Sequence, residues 1–119
     1  QIVSVLEEQC QPTGSSRPFL HLGVSEGFSY DLAKTIVGGN CTGVTVSNVA
    51  INGAPLNMNA TYNVTANNFL ADGGDNFSTF ATIDQATRLD GGNDLEALIN
   101  YLGTFSPVAP PSTNRVNEL

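Results

Sequence analysis

Apolar and polar positions alternate along this chain with two different periods, and the changes of period mark its elements. Ile2, Val3, Val5 and Leu6 fall on one side of a helical repeat with Glu7 and Glu8 on the other, so Gln1 to Gln9 reads as the second half of a helix. Gln11 to Arg17, with Pro12, Gly14 and two serines, breaks it. From Phe19 to Val24 the residues alternate, and the alternation resumes after Gly27 to reach Tyr30 and Asp31. That pattern predicts a strand, a glycine kink and a second strand. Val44 and Val46 keep a period of two, then Val49 and Ile51 keep it in shifted phase, which predicts a strand carrying a bulge. Asn52-Gly53 is a hairpin signal, because both residues tolerate the positive φ that a tight turn requires. Near the end, Leu95, Leu98, Ile99 and Leu102 make the apolar face of a helix over Asp94 to Leu102. Asn93 is its N-cap, Glu96 the capping-box partner and Gly103 the stop. Together these elements predict an α+β fold, a mixed or antiparallel sheet covered by the Gln1 helix and the Asn93 helix.

Between the hairpin signal and the last helix lies Ala66-Asn67-Asn68-Phe69-Leu70-Ala71-Asp72-Gly73-Gly74-Asp75-Asn76-Phe77. Its pattern predicts a strand, a tight glycine turn, and a Phe77 ring presented on a loop just past the turn. The run Asn68 to Phe77 resembles the N-F-L-A-x-G-G-D-G-F signature in the C-terminal domain of secreted 5'-nucleotidases, a family that includes UDP-sugar hydrolases and 2',3'-cyclic-nucleotide phosphodiesterases. Asn76 replaces the usual glycine, a mild departure since asparagine tolerates the left-handed region. The resemblance extends back through Ile51-Asn52-Gly53-Ala54-Pro55-Leu56 and Tyr62-Asn63-Val64, and is also found at Leu22 to Asp31, in the Gln1 helix, and at Asn114-Arg115-Val116.

What the resemblance implies is specific. Phe77 would stack on a nucleobase, within a substrate-binding set of Phe77, Asn68, Gly73, Gly74, Asp75 and Asp84. Asp84 stands where an aspartate would hold the ribose hydroxyls, one position further from Phe77 than the family spacing; a solvated loop carboxylate is the alternative. Two divalent metal ions and the acid residues would belong to a separate N-terminal metallophosphatase domain. Residues 1–119 would then form one 5'-nucleotidase C-terminal-like domain, incomplete at its N-terminal side, that recognises the base and ribose of a nucleotide or nucleoside. The opposing reading is a non-catalytic extracellular interaction or structural module with an aromatic binding loop.

Composition narrows the choice. With 119 residues and 40% hydrophobic content, one domain with one core is expected. A net charge of −7, one lysine (Lys34) and three arginines exclude a surface that tracks a nucleic-acid polymer, though not one that binds a small nucleotide. No apolar run approaches the ~20 residues of a membrane span. Cys10 and Cys41 are an even count in a chain of secreted, periplasmic or cell-surface character. A disulfide is the expectation, with two free buried thiols or a metal site as the alternatives. No catalytic set is visible: there is no G-x-S-x-G, no phosphate loop, no H-E-x-x-H and no cluster to hold two metals. His21 stands alone among leucines and reads as a half-buried strand histidine, while Arg115 reads as an anchor for the tail.

Overall fold

A computed structural model describes residues 1–119. Four helices and four strands follow in the order α1 (Ile2–Glu7), β1 (Phe28–Val37), β2 (Asn40–Ile51), β3 (Ala54–Pro55), α2 (Asn68–Ala71), α3 (Ser78–Ala81), α4 (Asp94–Phe105) and β4 (Val116–Glu118). The sheet order is β3-β2-β1-β4. β1 and β2 pair antiparallel from Phe28 opposite Ile51 to Val37 opposite Asn40, and β4 lies parallel to β1, so the sheet is mixed.

The slip in the apolar period of β2 is a real irregularity. Ser29 faces Ala50 and Asp31 faces Ser47, with Asn48 at φ 50° absorbing the extra residue. That shift keeps Val46 and Val49 both buried, together with Leu6, Tyr30 and Leu32. Asn52 and Gly53 make the hairpin turn into β3 at φ 51° and 78°, as their chemistry requires. The disulfide Cys10–Cys41 ties the end of α1 to β2 with a Cα–Cα separation of 5.5 Å, and neither free thiols nor a metal site remain. Only ten residues of the chain are buried, a small core, so this cross-link carries weight: closing a loop of about 30 residues contributes roughly 3–4 kcal/mol in the chain-entropy model.

Three expectations are corrected. Phe19 to Val24 is not a strand of the sheet; it keeps a single bridge between Phe19 and Cys10. Its backbone bonds instead to Gln9, just past α1, with Leu20 N–H donating to the Gln9 carbonyl at 2.8 Å and Leu22 N–H to Gln9 Oε1 at 2.8 Å. His21 is accordingly exposed. Secondly, α4 runs through Gly103 to Phe105, because a glycine inside a helix costs only about 1 kcal/mol, and it ends where Ser106 is extended ahead of Pro107, which has no N–H to continue the helix. Asn93 does cap it, accepting from Glu96 N–H at 3.1 Å. The third correction concerns cover. α4 does not roof the sheet: Leu95, Leu98, Ile99 and Leu102 are all exposed, and no residue from Thr82 to Asn114 is buried. The buried cluster on β1 and β2 gains its apolar contacts instead from α1, Phe19, Val24 and Leu56, among others.

Candidate functional site

The motif Asn68 to Phe77 is helical before its glycines, not extended. Asn67 starts α2 by accepting the Leu70 N–H at 2.9 Å, a side-chain cap that favours helix over strand at this point. Gly73 then turns at φ 85° and is followed by a 3-10 turn, Gly74–Asn76, in which Asp75 and Asn76 are both left-handed at φ 52° and 64°. Gly74 is required by space: a Cβ there would sit 2.5 Å from the Phe69 ring and 2.6 Å from its carbonyl oxygen.

The turn is held from below by polar side chains of α1 and the residues just past it. Gln11, buried, donates to the Asp75 carbonyl at 2.9 Å and the Glu8 carbonyl at 3.0 Å, and accepts from the Asn76 amide at 2.8 Å. Asn76, where the family usually has glycine, therefore both tolerates the backbone conformation and adds a bond. Glu8 accepts from Thr79 N–H at 2.9 Å, Thr79 Oγ1 at 2.9 Å and Ser78 Oγ at 2.8 Å, capping α3. Gln9, fully buried, bridges Leu6, Leu22 and the hydroxyl of Tyr30. Burial raises the Tyr30 hydroxyl above the ordinary phenol pKa, with the Gln9 bond opposing it.

These bonds flank Phe77 on both sides and draw its loop onto α1. The ring is 1% exposed, so the expectation that the turn lifts it to the surface is not met. It instead lines a groove of about 340 Å³. Arg17, Phe19, Leu20, His21 and Leu22 line it from the segment before β1, and Asn67, Phe69, Leu70 and Asp75 from the motif. Arg17 and Asp75 face each other at 4.0 Å, and Phe19 packs against His21 with ring centroids 4.8 Å apart.

Of the six residues assigned to substrate, Phe77 and Asp75 line this groove, and Gly73 and Gly74 shape the turn above it. Asn68 is the exposed first residue of α2 and lies outside the lining. Asp84 also lies outside it, where it caps the 3-10 turn Gln85–Thr87 by accepting Ala86 N–H at 2.9 Å. Sequence reasoning missed Arg17, Phe19, Asn67 and Phe69. A signal existed for Asn67, a helix N-cap ahead of Phe69-Leu70-Ala71; none existed for the segment before β1, which is brought here by Gln9. Arg115 anchors the tail as expected, donating to the Val24 carbonyl at 2.7 Å. Arg88 ties the segment after the motif to Asp72 at 2.7 Å. No group of three or more His, Cys, Asp or Glu side chains able to hold a metal ion is present.

The chain is thus an α+β domain with a mixed sheet, and its glycine-turn motif contributes residues to a groove of about 340 Å³. The family model for the 5'-nucleotidase C-terminal domain matches residues 1–82 of the 119, a span that contains every groove residue, and the chain belongs to that family. No curated protein and no solved structure matches this chain.

Proposed function

We propose that this domain recognises the base and ribose of a nucleotide in a secreted, metal-dependent 5'-nucleotidase-like phosphoester hydrolase. The two divalent metals belong to an N-terminal metallophosphatase domain that delivers the chemistry, and this domain alone hydrolyses nothing. The observation that carries the reading is the turn itself: Gly74 packed against Phe69, over a groove that Phe77 and Asp75 line, on the family's own motif. A volume of about 340 Å³ is at the small end of ligand pockets and suits a base with part of its ribose. The disulfide supports an extracellular setting. No helix is long and apolar enough to cross a membrane.

The exposed apolar face of α4 favours a second reading, an extracellular interaction or structural module. Titration of the labelled chain with adenosine, followed by amide chemical shifts, separates the two. Shifts concentrated in Asn67 to Phe77 are expected; an unperturbed motif at millimolar adenosine overturns the nucleotide reading. A companion assay tests the division of labour, since phosphate release from AMP by the chain alone with Mn²⁺, Zn²⁺ or Co²⁺ would place metal chemistry in this domain.

A further inference from the structure

Asparagine stands two residues ahead of Ser or Thr four times in this chain, as Asn40-Cys41-Thr42, Asn59-Ala60-Thr61, Asn63-Val64-Thr65 and Asn76-Phe77-Ser78. Each triplet has the pattern of an acceptor for an N-linked glycan, and the pattern alone does not tell them apart. The fold does. At the first, the Asn40 side-chain oxygen accepts from Gly14 N–H at 2.9 Å and its amide donates to the Gly38 carbonyl at 3.1 Å. Thr42 Oγ1 donates to the Thr35 carbonyl at 3.3 Å, and the middle residue is bonded to Cys10. At the last, the Asn76 amide donates to Gln11 Oε1 at 2.8 Å, the Ser78 hydroxyl donates to Glu8 at 2.8 Å, and Phe77 between them is buried. In both triplets the asparagine and the hydroxyl are already engaged in holding the fold.

The middle pair is the opposite. Asn59, Thr61, Asn63 and Thr65 are all exposed, and none of their side chains bonds to the rest of the chain. Their loop is nonetheless held at its base, where Asn57 N–H donates to the Tyr62 hydroxyl at 2.9 Å and Asn59 N–H to Asn57 Oδ1 at 3.0 Å. Met58 and Val64, exposed apolar residues next to the two asparagines, are surface that an attached sugar would cover. We infer that Asn59 and Asn63 are N-glycan acceptors and that Asn40 and Asn76 stay unmodified in the folded protein. The donor class is a polyprenyl-pyrophosphate-linked oligosaccharide of a secretory compartment, a setting that the disulfide fits. Asparagine Nδ2 forms a bond to the anomeric carbon of the sugar as that carbon's bond to the pyrophosphate oxygen breaks. The lipid pyrophosphate leaves with the electron pair, and the amide loses one proton. On Asn76 the sugar would stand at the nitrogen that packs on Gln11; on Asn59 and Asn63 it meets solvent. This inference goes beyond the nucleotide reading and does not depend on it.

The test secretes the full chain from a eukaryotic host, which supplies donor and transferase, and reads each site separately. Peptide N-glycosidase in heavy-oxygen water converts a glycosylated asparagine to labelled aspartate, and mass spectrometry of the peptides locates the label. Label is expected at Asn59 and Asn63, with Asn40 and Asn76 unlabelled. The double variant Thr61→Ala, Thr65→Ala keeps both asparagines and removes both acceptor patterns, so the mass change of the intact protein on glycosidase treatment should disappear. A secreted wild type whose mass does not change, label at Asn40 or Asn76, or a mass change that persists in the double variant overturns the inference. Label at one of Asn59 and Asn63 alone overturns the assignment of the other.

Discussion

Residues 1–82 and residues 83–119 follow different rules. In the first region the polar groups that are buried, Gln9 and Gln11, are bonded at each position the geometry offers, and no buried side-chain polar atom is left without a partner. In the second no residue is buried, and attachment to the rest runs through a few polar contacts and a three-residue strand. The groove sits wholly in the first region. The comparison teaches that the motif's own glycines permit its shape and that residues just past α1 place it: the Gln11 and Glu8 side chains reach the backbone at Asp75 and Thr79, on either side of Phe77.

The largest effect that separates the regions is expected at Phe77. Phe77→Ala should destabilise the chain by about 3–5 kcal/mol, whereas Leu98→Ala, on the exposed face of α4, should change stability by less than about 0.5 kcal/mol. Urea unfolding of the two variants is the check; equal losses would mean that α4 is packed in solution and the contrast is false.

Gln11→Ala should come next. It leaves the Asp75 carbonyl and the Asn76 amide without their partner, at a cost of about 1–3 kcal/mol, and the disturbance should reach the groove. Amide exchange in Asp75 to Thr79 should speed up while the β1–β2 ladder keeps its protection. Uniform loss across both would show that Gln11 supports the whole core and not the turn in particular.

The smallest effect concerns the tail strand. Lys34 donates to both oxygens of Glu118 at 2.9 and 3.0 Å, and this bond holds the Glu118 carboxyl below the ordinary carboxylate range. The carboxyl of Asp31 is likewise lowered, by donors from Asn48 and then Asn117 of the same strand. Both are depressed carboxylates, so their contribution is present above the ordinary pKa and is lost as pH falls through the lower folded values. Below about pH 4 the β4 attachment should loosen, seen as faster exchange of the Leu119 amide, which donates to Leu32 at 2.9 Å. Glu118→Gln should remove most of that pH dependence; an unchanged profile would assign it to other groups.

Legibility in the sequence followed the same divide between backbone pattern and side-chain reach. The bulge near Asn48, the Asn52-Gly53 hairpin and the Asn93 cap each rest on local chemistry that a linear reading sees, and the Cys10–Cys41 bond is legible because the chain has only two cysteines. The placement of Phe19 to Val24 does not, because alternation resembles a strand whether its hydrogen bonds go to a neighbour strand or to Gln9. The burial of Phe77 is hidden from a linear reading for a related reason: the turn chemistry at Gly73 and Gly74 is local, but the bonds that hold the loop inward come from Glu8 and Gln11, some 65 to 70 residues earlier. In α4 the period correctly announced a helix with an apolar face, and periodicity carries no statement of what that face meets.

Intermolecular NOEs from the base protons of adenosine to the chain bear most directly on where this domain meets its ligand. The account predicts contacts to the Asn67 to Phe77 motif and to the Phe19–His21 side of the groove. Contacts to Leu95, Leu98 and Leu102 of α4 in their place would contradict it, and would move the binding surface to the other region of the molecule.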